Sequence, residues 1–119
     1  MARYKIDFKG IDEVESKLGA VSARRAKQMI DVNLEEGIER MANEAGDNAP
    51  VDTGYLRETI YGSPRKLSRH HYMFGSIAPY AQRQEYEHKT KNRFFYRAVL
   101  KEAPVIKDRI ARTIEIYMT

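Results

Sequence analysis

At 119 residues the chain has the length of one ordinary domain, and 42% hydrophobic with 32% charged residues describes a globular chain rather than a disordered one. The absence of cysteine excludes a disulfide scaffold, cysteine-ligated zinc and thiol catalysis. The net charge of +4 is unevenly spread: residues 1–59 carry 9 Lys/Arg against 12 Asp/Glu, and residues 60–119 carry 12 against 5. Such a two-signed chain can meet nucleic acid with one face or a second copy of itself head to tail.

No apolar run reaches the ~18–20 residues of a membrane span, and Met1-Ala2-Arg3-Tyr4 lacks a signal-peptide core. The expectation is a single domain working in a reducing cytoplasm, with a radius of gyration of roughly 13–14 Å.

Residues 3–9 alternate, with Tyr4, Ile6 and Phe8 on one face and Arg3, Lys5, Asp7 and Lys9 on the other; this predicts a half-buried strand. Gly10 ends it. Ile11, Val14 and Leu18 predict a short helix stopped by Gly19. Ser22 is placed to cap a long second helix running to about residue 47. Its apolar stripe is Ala23, Ala26, Met29/Ile30, Leu34, Ile38, Met41 and Ala45, opposite Arg24, Lys27, Asp31, Glu35, Glu39 and Asn43. Gly37 interrupts that helix at a cost of ~1 kcal/mol relative to Ala, unless it admits a neighbour closely.

Residues 48–54 are punctuation: Pro50 opposes continuation of the helix, and Asp52 or Thr53 can cap the next helical turn. Gly54 can adopt a positive φ, and Arg57 is close enough in sequence to brace Asp52. Tyr55 to Ile60 suits one helical turn. Strands are predicted over Ile60 to Leu67 and His71 to Ala78, joined through Arg65 to His70. Tyr80 to Glu87 reads as a short helix, and the polar, basic segment near 87–97 as an exposed mobile loop. Phe94-Phe95-Tyr96 needs anchoring in the core or at an interface. Pro104 is read as opening the last helix at the favoured first position, with Ile106, Ile110, Ile114 and Tyr117 on one face. Together these elements predict an α+β fold, a small antiparallel or mixed sheet packed against one long amphipathic helix and a C-terminal helix.

The segment Ala49-Pro-Val-Asp-Thr-Gly-Tyr-Leu-Arg57, preceded by a long helix and followed by Glu58-Thr-Ile60, resembles the signature of the tail-completion, or head–tail joining, proteins of long-tailed bacteriophages. Phe8-Lys-Gly-Ile-Asp-Glu13 resembles the family's opening, and Tyr80-Ala81 with Glu85-Tyr86 a later landmark. The chain departs from that pattern at Glu87-His88 and in the proline-free stretch Arg93 to Ala98.

The resemblance implies a non-enzymatic structural protein of the virion neck, made in the bacterial cytoplasm and needing no cofactor. It implies a homo-oligomeric ring, hexameric on assembly, that contacts connector and tail-tube proteins and has DNA as a passive neighbour in the channel, with no membrane contact. The expected structural corner is Pro50, Asp52, Thr53, Gly54, Leu56 and Arg57. The expected subunit or partner interface is Tyr80, Arg83, Glu85, Tyr86, Lys89, Lys91, Arg93, Phe94, Phe95 and Tyr96.

A competing reading is a small nucleic-acid-binding protein or metal-independent ribonuclease toxin. Arg65, Lys66, Arg69, Arg83, Lys89, Lys91, Arg93 and Arg97 interleave with tyrosines, a composition suited to single strands but equally to protein interfaces. His70 and His71 are adjacent and would point to opposite faces of a strand, so they do not pair on a metal. His88 has no evident orienting group.

Overall fold

The structure, a computed structural model, describes residues 2–8, 10, 20–50 and 54–118. The predicted helix over 11–18 and the proposed caps Asp52 and Thr53 lie outside these residues. In chain order the elements are β1 (Ala2–Asp7), α1 (Ala20–Asn48), α2 (Tyr55–Tyr61), β2 (Arg65–Ser68), β3 (His71–Ser76), α3 (Ala81–Glu87) and α4 (Phe94–Met118). The fold is α+β, with a small antiparallel sheet in the order β1-β3-β2. No helix among the described residues is long and apolar enough to cross a membrane.

The alternation in β1 sets its two faces. Tyr4 stands opposite Phe74 and Ile6 opposite Tyr72 in the register with β3, and these side chains turn towards the helices, while Arg3, Lys5 and Asp7 are exposed. Between sheet and helices lies an aromatic layer. Tyr4 stacks on Phe95 with ring centres 4.8 Å apart, Phe95 meets Phe74 at 5.9 Å and Phe94 at 4.6 Å. Offset and tilted pairs at such distances suit the ring quadrupoles.

The α1 stripe is buried where helical periodicity puts it: Ala26, Ile30, Leu34, Ile38, Met41 and Ala45 are inside, whereas Met29 is 42% exposed. Against this stripe α4 runs antiparallel, with Ile106 and Ile110 buried. Polar bonds flank the seam, stepping up α1 as they step down α4. Asn33 donates to Thr113 at 2.9 Å, Arg109 pairs with Glu36 at 3.8 Å, Arg40 with Glu102 at 3.2 Å and Lys101 with Glu44 at 3.1 Å. The exposed pair Arg109–Glu36 adds little stability, and Arg40–Glu102 is part-buried; all three ion pairs form together in this register. The paired helices extend the molecule to 51 × 22 × 18 Å with a radius of gyration of 16.2 Å, longer than the compact body expected from chain length.

Gly37 has a steric purpose. A Cβ there would overlap the Cγ1 and Cδ1 atoms of Ile106, and one at Gly46 would overlap the Tyr61 ring. Both glycines are sockets on α1. Tyr61, seated against Gly46, donates its hydroxyl to Asp47 at 2.5 Å. That contact keeps Ile60 and Tyr61 helical, correcting the predicted strand start at Ile60. Strand β2 begins at Arg65 and its turn is confined to Arg69 and His70, the latter at φ 62°.

Two helix starts also differ. Helix α1 starts at Ala20, so Ser22 lies within it rather than capping it. Helix α4 starts ten residues before Pro104, which is interior. Pro104 is tolerated because it sits on the outer face, and Leu100, whose carbonyl loses its partner, is 55% exposed.

Gly37→Ala is expected to lower stability. Overpacking costs about 1–3 kcal/mol, which outweighs the ~1 kcal/mol gained in helix propensity. Chemical denaturation should show the loss and Ile106→Val should recover part of it; unchanged stability in Gly37→Ala would contradict the socket.

Candidate functional site

Two features carry the corner after α1. Gly54 has φ 85°, where a side chain would cost about 1–2 kcal/mol, and its carbonyl accepts from the Glu58 N–H at 3.1 Å. Leu56 is buried beneath it. Arg57, expected to brace Asp52, donates to the main-chain carbonyl of Asp47 at 2.9 Å, tying α2 to the end of α1. Ala49 is buried and Pro50 half-buried. The described part of the motif therefore acts as a structural corner.

The expected interface set divides in two. Tyr80, Arg83, Tyr86, Lys89, Lys91, Arg93 and Tyr96 are exposed, while Glu85, Phe94 and Phe95 are 1% or less exposed. The two phenylalanines belong to the aromatic layer. Glu85 is an internal fastener, not a contact residue.

Helix α4 has no acid in its first turn. Glu85 supplies one from α3: its carboxylate accepts from the Phe95 N–H at 2.9 Å and more weakly from the Tyr96 N–H at 3.4 Å. These are N–H groups that no helical carbonyl can satisfy, at the end of the helix that favours negative charge. Its main-chain carbonyl also accepts from the Arg93 N–H at 2.6 Å. One residue thus closes the loop through both backbone and side chain.

Burial pushes the Glu85 carboxyl above its ordinary value, opposed by the Phe95 and Tyr96 amides, Arg93 and the Tyr4 hydroxyl. Tyr4 in turn is pushed up by burial and by the nearby Glu85 charge. This contact links the loop's base to β1.

Above that anchor the loop holds its own shape. His88 Nδ1 accepts from the backbone N–H groups of Lys91 at 2.8 Å and Thr90 at 3.3 Å. Arg93 adopts φ 58° and lays its guanidinium 5.0 Å from the centre of the Tyr86 ring, a cation–π contact. Arg97 donates to Asn92 at 3.3 Å. Lys89 and Lys91 project without an ion-pair partner among the described residues.

A second charged surface flanks β2. Asp31, Glu35 and Glu39 lie four residues apart on α1, on a different face from Glu36 and Glu44, which engage α4. Glu35 and Glu39 line a cleft with Lys66 and Tyr72. The sheet order puts β2 and β1 at opposite edges, so this cleft, whose wall also includes Arg65, and the basic loop sit on opposite sides of the sheet. Linear sequence had indicated the signs of the two surfaces; the separation of the α1 acids into paired and unpaired rows follows from helical periodicity, but only packing shows which row faces α4.

The histidines are dispersed in role. His70 is buried in the β2–β3 turn, His71 is half-buried on β3, and His88 shapes the loop. Among the described residues no three His, Cys, Asp or Glu side chains gather to hold a metal ion. Comparison with known proteins finds no matching family model, no matching curated protein and no matching solved structure.

Glu85→Ala is expected to cost about 1–3 kcal/mol, since the buried Phe95 N–H loses its acceptor. The raised carboxyl affinity for protons has a signed consequence. The folded chain holds this proton more tightly than the unfolded chain, so its contribution favours folding most below the ordinary value of 4.5 and declines as pH rises through the raised value. Glu85→Gln should flatten that segment of the stability–pH curve; an unchanged slope would contradict it.

Proposed function

We propose that the chain is a structural component of a bacteriophage head–tail junction, which assembles with copies of itself into a ring and joins the tail tube to the connector. The observation that carries this reading is the separation of an unpaired row of α1 acids, near the β2 edge where Arg65 and Lys66 are also exposed, from the projecting lysines of the 88–93 loop, near the β1 edge. The unpaired α1 acids beside β2 and the lysines of the 88–93 loop beside β1 cannot neutralise each other within one chain. Between copies they can, in a head-to-tail contact of unlike surfaces, the geometry that closes into a ring when the rotation permits. The corner at Gly54, Leu56 and Arg57 supports the same reading, because the described residues of the family-like motif tie α2 to the end of α1. Exposed Tyr80, Tyr86 and Tyr96 with neighbouring cations have the composition of a protein contact surface. The virion neck is the corresponding location, with connector and tail-tube proteins as partners and a hexamer as the assembled state.

The exposed Tyr86 and Tyr96 rings beside Lys89 and Lys91 also favour a second reading, a single-strand nucleic-acid surface. It would be abandoned if the purified protein neither retards nor cleaves RNA at low salt.

Alanine at Lys89, Lys91 and Arg93 together should leave the far-UV dichroism of the chain unchanged and reduce the joining of heads to tails in an assembly assay. Normal yields of joined particles would contradict the role of the loop.

A further inference from the structure

The cleft lined by Glu35, Glu39, Arg65, Lys66 and Tyr72 and the row of α1 acids that runs past it contain polar atoms whose bonding is incomplete. Tyr72 is 2% exposed, and its hydroxyl has no hydrogen-bond partner; Asp31 Oδ1, one turn before Glu35, is also buried without one. Burial, with the charges of Glu35 and Asp31 adding to it, pushes the phenol up to about 12, and Tyr72 shares the cleft lining with Glu35 and Glu39. A buried polar group left unpaired costs about 1–3 kcal/mol. Glu35 and Glu39 make no hydrogen bond or ion pair with a described residue. Arg65, in the cleft wall, is turned away onto the carbonyls of Gly62 and Pro64, and Lys66 is not within ion-pair distance of either glutamate.

We infer that this cleft is a receptor for one basic side chain, delivered by the 88–93 loop of a second copy of the chain. The inference rests on the head-to-tail reading above and gives it an atomic address. A guanidinium or ammonium group brings several donors and no acceptor, which suits the Glu35 and Glu39 carboxylates and the Tyr72 oxygen of the cleft. The cleft holds about 180 Å³, room for the end of one long side chain. A metal ion fits the site poorly, because no three ligating side chains converge there. The occupant is assigned to a second copy on charge complementarity: Lys89 and Lys91 are exposed and unpaired among the described residues, they lie across the sheet from their own cleft, and they are the loop's projecting cations.

Chemical-shift titration tests this. The labelled chain carries Lys89→Glu and Lys91→Glu, so that its own loop cannot dock, and unlabelled wild-type protein is added. Saturable shifts at Glu35, Glu39, Lys66 and Tyr72 are expected, with none when the added protein carries the same two substitutions. Adding Tyr72→Phe to the labelled chain should weaken binding about fivefold, the value of one net hydrogen bond, while leaving its unfolding stability unchanged or higher, because an unpaired hydroxyl is removed. A purely packing role for Tyr72 would leave the affinity unaltered, and that result would overturn its part in the site. Shifts confined to another surface, or absent at millimolar concentration, would overturn the cleft as receptor. The joining assay separates this from the broader reading: lost joining in the loop variant without cleft shifts leaves the neck role standing, whereas cleft shifts with normal joining remove the neck role and leave the copy-to-copy contact.

Discussion

The antiparallel packing of α1 on α4 is the constraint on which the other features depend. It is set by a shape match, Ile106 seated over Gly37, and by ion pairs that form together in this register. Close-packed seams transmit position. Once Glu36 and Glu44 are committed to α4, the row Asp31, Glu35 and Glu39 must face elsewhere, and the α1 twist aims it at β2. Once α4 is fixed along α1, its first turn arrives next to β1, where Tyr4, Phe95 and Glu85 meet. Both charged surfaces are thus consequences of one helix pair.

Glu85 converts that geometry into a presented loop. An acid in α3 that caps α4 leaves the intervening residues only one compact path, and Arg93 over Tyr86 narrows it further. The backbone that carries Lys89 and Lys91 is tied down by a buried fastener, so a contact has the lysine side chains rather than the loop backbone to order. Across the sheet the acceptor surface is similarly fixed, because it is carried on the rigid middle of α1. Rigid, unlike and laterally opposed surfaces suit repeated head-to-tail contact better than a symmetric dimer, whose interface must be self-complementary.

Much of the architecture was legible in the sequence for local reasons. The alternation of residues 3–9 and the stripe from Ala26 to Ala45 are short-range periodicities, and both elements form where they point. The unusual backbone at Gly54 was also legible, since few residues adopt a positive φ. What was not legible was set by contacts distant in sequence. Pro104 looked like a helix start because that is its favoured site, but the true start is fixed by Glu85, nine residues upstream of Phe94 and on another helix. Ile60 and Tyr61 had strand-forming side chains, yet the Gly46 socket keeps them helical. Glu85 looked like a surface acid among aromatics until the fold placed it under the loop. The cleft at Tyr72 had no linear signal, because its walls come from α1, β3 and the β2 approach.

The chain has no cysteine, so an introduced pair reports one contact cleanly. The central claim, that the two unlike surfaces meet between copies, is tested most directly by oxidising a variant carrying Glu39→Cys and Lys91→Cys. A ladder of covalent multimers ending in one closed ring species is predicted, with each single-cysteine variant remaining monomeric. Efficient dimers from either single variant, with no ladder from the pair, would show that like surfaces meet and would contradict the account.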